Sequence, residues 1–187
     1  MPINPAFAFG LVVVSCALIS PLAAQPVTIT AEGQLEHVSN PSLAPPLIRE
    51  RPRTFVSVVI DRQATPISSD QETATYRPRS ATLTIGDESF PLQDAVLIVE
   101  RFPHGPSSGY AYLIRGSTQL GWFFSLRSGS KSPSYVPDFE VPTSLPVGEP
   151  DFAHDVTLRD ERFGWDAYGD GAITMVSSTP TAFVRGG

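Results

Sequence analysis

The sequence predicts an all-β domain, an antiparallel β-sandwich or jelly roll, and three observations carry that expectation. Apolar and polar residues alternate with a period of two through most of the chain after Gln25, which sets one face of each segment against a core and the other in water. Turn residues recur between these runs, drawn from 19 prolines and 14 glycines. No window sustains a helical period, and packed sheets are how half-apolar strands bury their inner faces.

The chain of 187 residues opens on a leader. Met1 to Ala24 contains no charged side chain, and Ala6 to Ile19 is almost unbroken apolar sequence. Ser20-Pro21 and Leu22-Ala23-Ala24 follow, the order of h-region, helix breaker and small-residue cleavage site in a secretory signal peptide. Cleavage is expected after Ala24. A transmembrane anchor is the competing reading, but the run falls short of the roughly 20 residues a spanning helix needs and no basic flank follows it. Val13-Val14-Ser15-Cys16 resembles a lipobox in which Cys16 would be lipidated, although Ala17-Leu18-Ile19 carries the apolar run past it. The expected organisation is a signal peptide over 1–24, a β-sandwich domain over 25–176 and a flexible tail over 177–187. The expected location is the periplasm or the extracellular space, with no stable membrane anchor after processing. Cys16 is the only cysteine, so the remainder can hold no disulfide, thiolate metal site or cysteine nucleophile.

Each strand has its own signature. From Val27 to Glu36 the odd positions are apolar or small and the even ones polar. Ser39 to Pro52 carries four prolines and reads as a loop. In Arg53 to Ile60, Val56, Val58 and Ile60 share a face; Asp61 to Thr75 is polar and reads as a surface loop. Ala81, Leu83 and Ile85 point inward from Ser80 to Ile85, and Gly86-Asp87 then suits a two-residue type II′ hairpin turn, because glycine takes positive φ without a Cβ clash. Glu88 to Leu92 is the return strand. Ala95 to Phe102 is apolar on both faces and reads as a central strand. After the turn cluster Pro103 to Gly109, Tyr110, Tyr112 and Ile114 alternate. Leu120, Trp122, Phe124 and Leu126 form the strongest inward row. Ser128 to Asp155, rich in proline, is expected as extended chain along a sheet edge. Val156 to Arg159 and Ala172 to Val176 close the list of strands.

These features resemble the secreted domains of bacterial PEP-CTERM (exosortase-sorted) proteins. The resemblance rests on a Thr-rich first strand after a signal peptide, a second strand ending at Asp61 with Ala64-Thr65-Pro66 beyond it, and Tyr76 leading into Thr82-Leu83-Thr84-Ile85-Gly86 with Phe90 as the following aromatic. Val141-Pro142-Thr143-Ser144-Leu145-Pro146 with Asp151-Phe152 is similar to that group's Leu-Pro-rich stretch. It covers most of residues 27–176 on motifs of low information. The group's Val-Pro-Glu-Pro, transmembrane stretch and terminal arginines are missing from the closing TPTAFVRGG. The resemblance implies an exported β-sandwich without an anchor, and it transfers no catalytic residues because the group shares no activity.

Charge narrows the partners. The net charge of -6 comes from 13 basic and 19 acidic residues. Nine carboxylates lie between Asp138 and Asp170, opposed only by Arg159 and Arg162, so the negative charge is local. That balance argues against nucleic acid and anionic lipid as partners and leaves a polysaccharide or an envelope protein as candidates. Asp166-Ala167-Tyr168-Gly169-Asp170-Gly171 is the best local calcium candidate, with Asp166 and Asp170 as ligands, since Ca²⁺ takes several oxygen ligands on flexible loops. It lacks the D-x-D-x-D-G pattern, and a solvated acidic face is the plainer reading. Trp165 and Tyr168 in the same stretch are candidate stacking residues for a sugar ring, with packing the plainer role for Trp165.

Catalytic patterns are weaker. Gly105-Pro106-Ser107-Ser108-Gly109 matches G-x-S-x-G, and Asp138 or Asp151 and His154 follow in hydrolase order, but a strand is expected after the turn where the nucleophile elbow needs a helix. His37, His104 and His154 are not spaced as metal ligands. Asp160-Glu161 and Asp151-Asp155 are acid pairs of the kind glycoside hydrolysis uses, and such pairs arise by chance in so acidic a segment. The expected function is a non-enzymatic structural or binding module; the alternative is a small secreted hydrolase acting on glycans or esters.

Overall fold

A computed structural model describes residues 25–102, 109–131, 141 and 155–177. The strands are β1 (Pro26–Val38), β2 (Arg53–Asp61), β3 (Ser68–Ser69), β4 (Thr73–Tyr76), β5 (Ser80–Ile85), β6 (Glu88–Phe102), β7 (Gly109–Thr118), β8 (Phe123–Lys131), β9 (Asp155–Asp160) and β10 (Trp165–Ser177). One short helix, α1 (Pro46–Arg49), lies between β1 and β2. It forms inside the proline-rich loop because Pro46 stands at the first helical turn, where a missing N–H removes no intrahelical bond.

All ten strands join one sheet in the order β3-β4-β6-β5-β2-β1-β10-β9-β8-β7, and β7 pairs back onto β6. The run from β6 to β7 therefore closes into an eight-stranded antiparallel barrel. This corrects the expected sandwich or jelly roll. Period-two alternation demands only that one face be buried, and a sheet rolled onto itself meets that demand as well as two stacked sheets do. The closing seam runs from Leu92↔Thr118 to Phe102↔Gly109. Long bent strands make the closure feasible. Pairing shifts interrupt β1 at Thr30/Ala31 and Leu35/His37 and β6 at Gln93/Val96, and such bulges raise the local twist and bend the strand.

Connections are nearest-neighbour throughout, apart from the β3–β4 hairpin between β2 and β5. That hairpin occupies part of the segment expected as a loop over 61–75. Its strand β4 extends the sheet along the second half of β6, pairing Thr73↔Glu100 to Tyr76↔Leu97, while β5 pairs with the first half. β6 thus has hydrogen-bonded partners along both edges, but only one of its faces is buried: Leu97 and Val99 point inward, whereas Val96 and Ile98 are half-buried.

Most inward rows match the alternation. Val27, Ile29, Ala31 and Leu35 of β1 are fully buried, as are Val56, Val58 and Ile60 of β2 and Leu83 and Ile85 of β5. Phe124, Leu126, Val156, Leu158 and Ala167 meet them from the opposite wall. Each such side chain contributes about 1.5–3 kcal/mol when fully removed from water. Side chains fill the barrel, as the bore of eight strands allows. Leu120 departs from its expected row: it sits in the β7–β8 turn and is 43% exposed. Gly86 has φ +57° with Ile85 facing Glu88 across the turn, and Asp87 keeps negative φ, as the type II′ reading requires.

The outer face of β1 carries Thr28, Thr30, Glu32 and Gln34, and that of β10 carries Asp166, Tyr168 and Asp170. On these stretches the apolar side chains face inward and the polar ones outward, the reverse of the alternation in a membrane-spanning strand. Among the described residues, no helix is long and apolar enough to cross a membrane. The leader over 1–24 and residues 178–187 lie outside the described residues.

Candidate functional site

The barrel end formed by the last residues of β1, β7 and β9 and the first of β10 is covered by the chain from Ser39 to Arg51. Backbone and side chain fasten that segment to the start of β10. The Ser39 amide donates to the Asp166 carbonyl at 2.8 Å, the Asp166 amide donates to Ser39 Oγ at 2.9 Å, and Asn40 Nδ2 donates to the Gly164 carbonyl at 2.7 Å. Ala44 and Ile48 then turn into the core. Arg49 is steadied by its Nε, which donates to the Ala44 carbonyl at 2.7 Å.

Beneath this segment three aromatic rings run across the opening. Phe90 meets Trp122 at 5.4 Å between centroids, and Trp122 meets Trp165 edge to face at 5.7 Å. The β7–β8 turn fixes Trp122: the Thr118 amide donates to the Trp122 carbonyl at 2.9 Å, and the Trp122 amide donates to Thr118 Oγ1 at 3.2 Å.

The β9–β10 turn supplies the opposite wall through a buried ion pair. Asp160 is wholly buried, and its carboxylate accepts from Arg162 Nε at 3.1 Å, from an Arg162 terminal nitrogen at 2.9 Å and from the Arg162 amide at 3.0 Å. Those Arg162 hydrogen bonds hold the Asp160 carboxyl below the usual carboxylate range, outweighing the burial that pushes it up. The same guanidinium donates to the Leu120 carbonyl, so Arg162 ties the β9–β10 turn to the β7–β8 turn.

Between these parts lies a cleft of about 430 Å³, floored by Trp122 and Trp165 and walled by Arg49 and Arg162. Its rim carries Leu43, Leu120 and Phe163, which are 56%, 43% and 62% exposed. Trp165 is 1% exposed, yet its indole Nε1 is buried without a hydrogen-bond partner. A donor left in that state costs about 1–3 kcal/mol. A small cleft with an apolar rim, two aromatic rings and few polar groups has the make-up of a small-molecule site.

The sequence-predicted site residues divide between the two faces of β10. Trp165 faces the interior and lines the cleft floor, so it is not an exposed stacking face. Asp166, Tyr168 and Asp170 face outward, in a strand and not in the flexible loop expected for them. Tyr168 is half exposed and packs against His37 at 5.2 Å, across the bulge that follows Leu35. Asp166 and Asp170 are four residues apart along the strand, or about 13 Å at the usual rise. Two carboxylates so separated cannot chelate one calcium ion, whose ligands stand at about 2.3–2.6 Å. Among the described residues no three His, Cys, Asp or Glu side chains cluster as a metal site.

A strand, β7, does follow Gly109, but Ser107, His104, His154, Asp138 and Asp151 lie outside the described residues. Asp160 of the acid pair is engaged by Arg162. Sequence reasoning missed Leu43, Arg49 and Arg162 as members of one site and assigned Trp122 to the core alone. The one available signal was that both tryptophans stand directly beside a turn glycine, Gly121 and Gly164. No family model matches this chain, and no curated protein or solved structure matches it either.

Proposed function

We propose that this chain is an exported, non-enzymatic binding module that takes a small ligand in the cleft at the barrel mouth. The observation that carries the reading is the cleft itself: two tryptophans in its floor and three exposed apolar side chains on its rim. Its volume of about 430 Å³ lies within the range of small-molecule pockets. The uncharged leader with its small-residue cleavage site supports a working place in the periplasm or outside the cell.

Trp122 and Trp165 are the only tryptophans in the chain and both line the cleft, so intrinsic fluorescence reports on this site. Titrating the full chain with anilinonaphthalene sulfonate and with simple aromatic and aliphatic amphiphiles should give a saturable change in emission. Emission that stays unchanged with every probe overturns the binding reading. Export is tested separately: N-terminal sequencing of protein recovered from the periplasm or medium should begin at Gln25, and recovery from the cytoplasm with the leader intact would contradict it.

A further inference from the structure

The walls of the cleft narrow the chemistry of its ligand. We propose that it takes a small amphiphile bearing a single carboxylate, with an apolar body against the rim and the anionic end on Arg49. This rests on the cleft being a binding site.

The lining holds two arginines and no carboxylate. They differ in their counter-charge. Arg162 is neutralised by the buried Asp160, whereas Arg49 uses its Nε on the Ala44 carbonyl and has no ion pair among the described residues. The cleft thus presents one uncompensated cation on a chain of net charge -6. A monoanion balances that charge, and a phosphate dianion exceeds it. A planar carboxylate matches the guanidinium fork. Leu43, Leu120 and Phe163 form an apolar collar wet on its outer side, which an aliphatic or aromatic body would cover.

Decanoate, decanol and decyltrimethylammonium, each below its micelle-forming concentration, are the probes, and the full ¹⁵N-labelled chain is the receptor. The Trp165 indole resonance is assigned with a Trp122→Phe variant. Decanoate should bind saturably, shift the indole resonance of Trp165 in the cleft floor and bind about ten-fold tighter than decanol. Arg49→Gln, a change at an exposed position, should bring decanoate down to the decanol level and leave decanol unaffected. Equal binding of all three probes, insensitive to Arg49→Gln, overturns the carboxylate assignment while the cleft remains a binding site. Indole resonances that move with none of the three overturn both readings. A Trp165 resonance that moves with protein concentration alone places a second copy of the chain in the cleft and overturns the ligand.

Discussion

Arg162 reaches back over the β9–β10 turn to Asp160, a guanidinium largely in water holding a carboxylate with no exposure at all, nitrogen to oxygen 2.9 Å. The pair is lopsided, and its two halves should respond differently to removal. Arg162→Ala leaves the buried carboxylate without its cation and releases the Leu120 carbonyl, and should lower the urea midpoint more than removing the charge of Asp160 does. Asp160→Asn keeps an acceptor for Arg162 and removes the buried charge, and should lose less, about 1–2 kcal/mol. Equal losses would show that the buried charge is not what makes the pair matter.

The same pair predicts an acid limb. The Asp160 carboxyl is held below its ordinary value in the folded state, so its contribution is fully present above the unfolded value of about 3.9 and is lost as pH falls through the lower folded value. The stability of Asp160→Asn should therefore fall less steeply than wild type below about pH 4, read as the denaturation midpoint against pH.

Gly169 is held by a backbone contact. A Cβ there would collide with the Gln34 carbonyl oxygen of the neighbouring strand, at the bulge that brings His37 opposite Tyr168. Because the obstacle is main chain, no rotamer change relieves it. Gly169→Ala should cost about 3 kcal/mol, the upper part of the range for overpacking, and the thermal midpoint should fall accordingly.

Trp165 offers a test of its stranded donor. Trp165→Ala should cost about 3–5 kcal/mol as a core truncation. Trp165→Phe deletes the unpartnered N–H with part of the ring, and the two changes oppose each other, so the loss should stay within about 1.5 kcal/mol. A large loss in the phenylalanine variant would mean that the indole N–H has a partner in solution.

Calcium should not stabilise the fold. With Asp166 and Asp170 spread along one strand, the melting temperature should be the same in millimolar Ca²⁺ and in EDTA. A higher melting temperature in calcium would mean a site elsewhere in the chain.

The strands were legible in the residues because burial leaves a mark of period two: Val56, Val58 and Ile60 lie inside where their spacing puts them. The closure was not, since nothing in a single strand's pattern says whether its partner sheet is another layer or its own far end. Leu120 was misplaced because its parity continues that of Trp122, Phe124 and Leu126 through a turn that breaks the strand. The acidic stretch was misread because Gly169 and Gly171 look like loop residues. In the structure they sit inside β10, where Gly169 meets the Gln34 backbone and Gly171 faces Leu126 and Val156. Once the stretch is a strand, the odd spacing between Trp165 and Tyr168 sends them to opposite faces. The cleft itself gathers Leu43, Arg49, Trp122 and Arg162 from separate turns, and no local pattern links them.

The β6–β7 seam also bears on how the protein behaves in a crowd. Along that seam, from Leu92↔Thr118 to Phe102↔Gly109, the two strands spend their backbone donors and acceptors on each other, within the same molecule. Outside the ring, the sheet ends at Ser68 and Ser69, two residues long. At that edge a strand from another chain has almost nothing to dock against, so the folded protein should not add strands there while the seam stays shut.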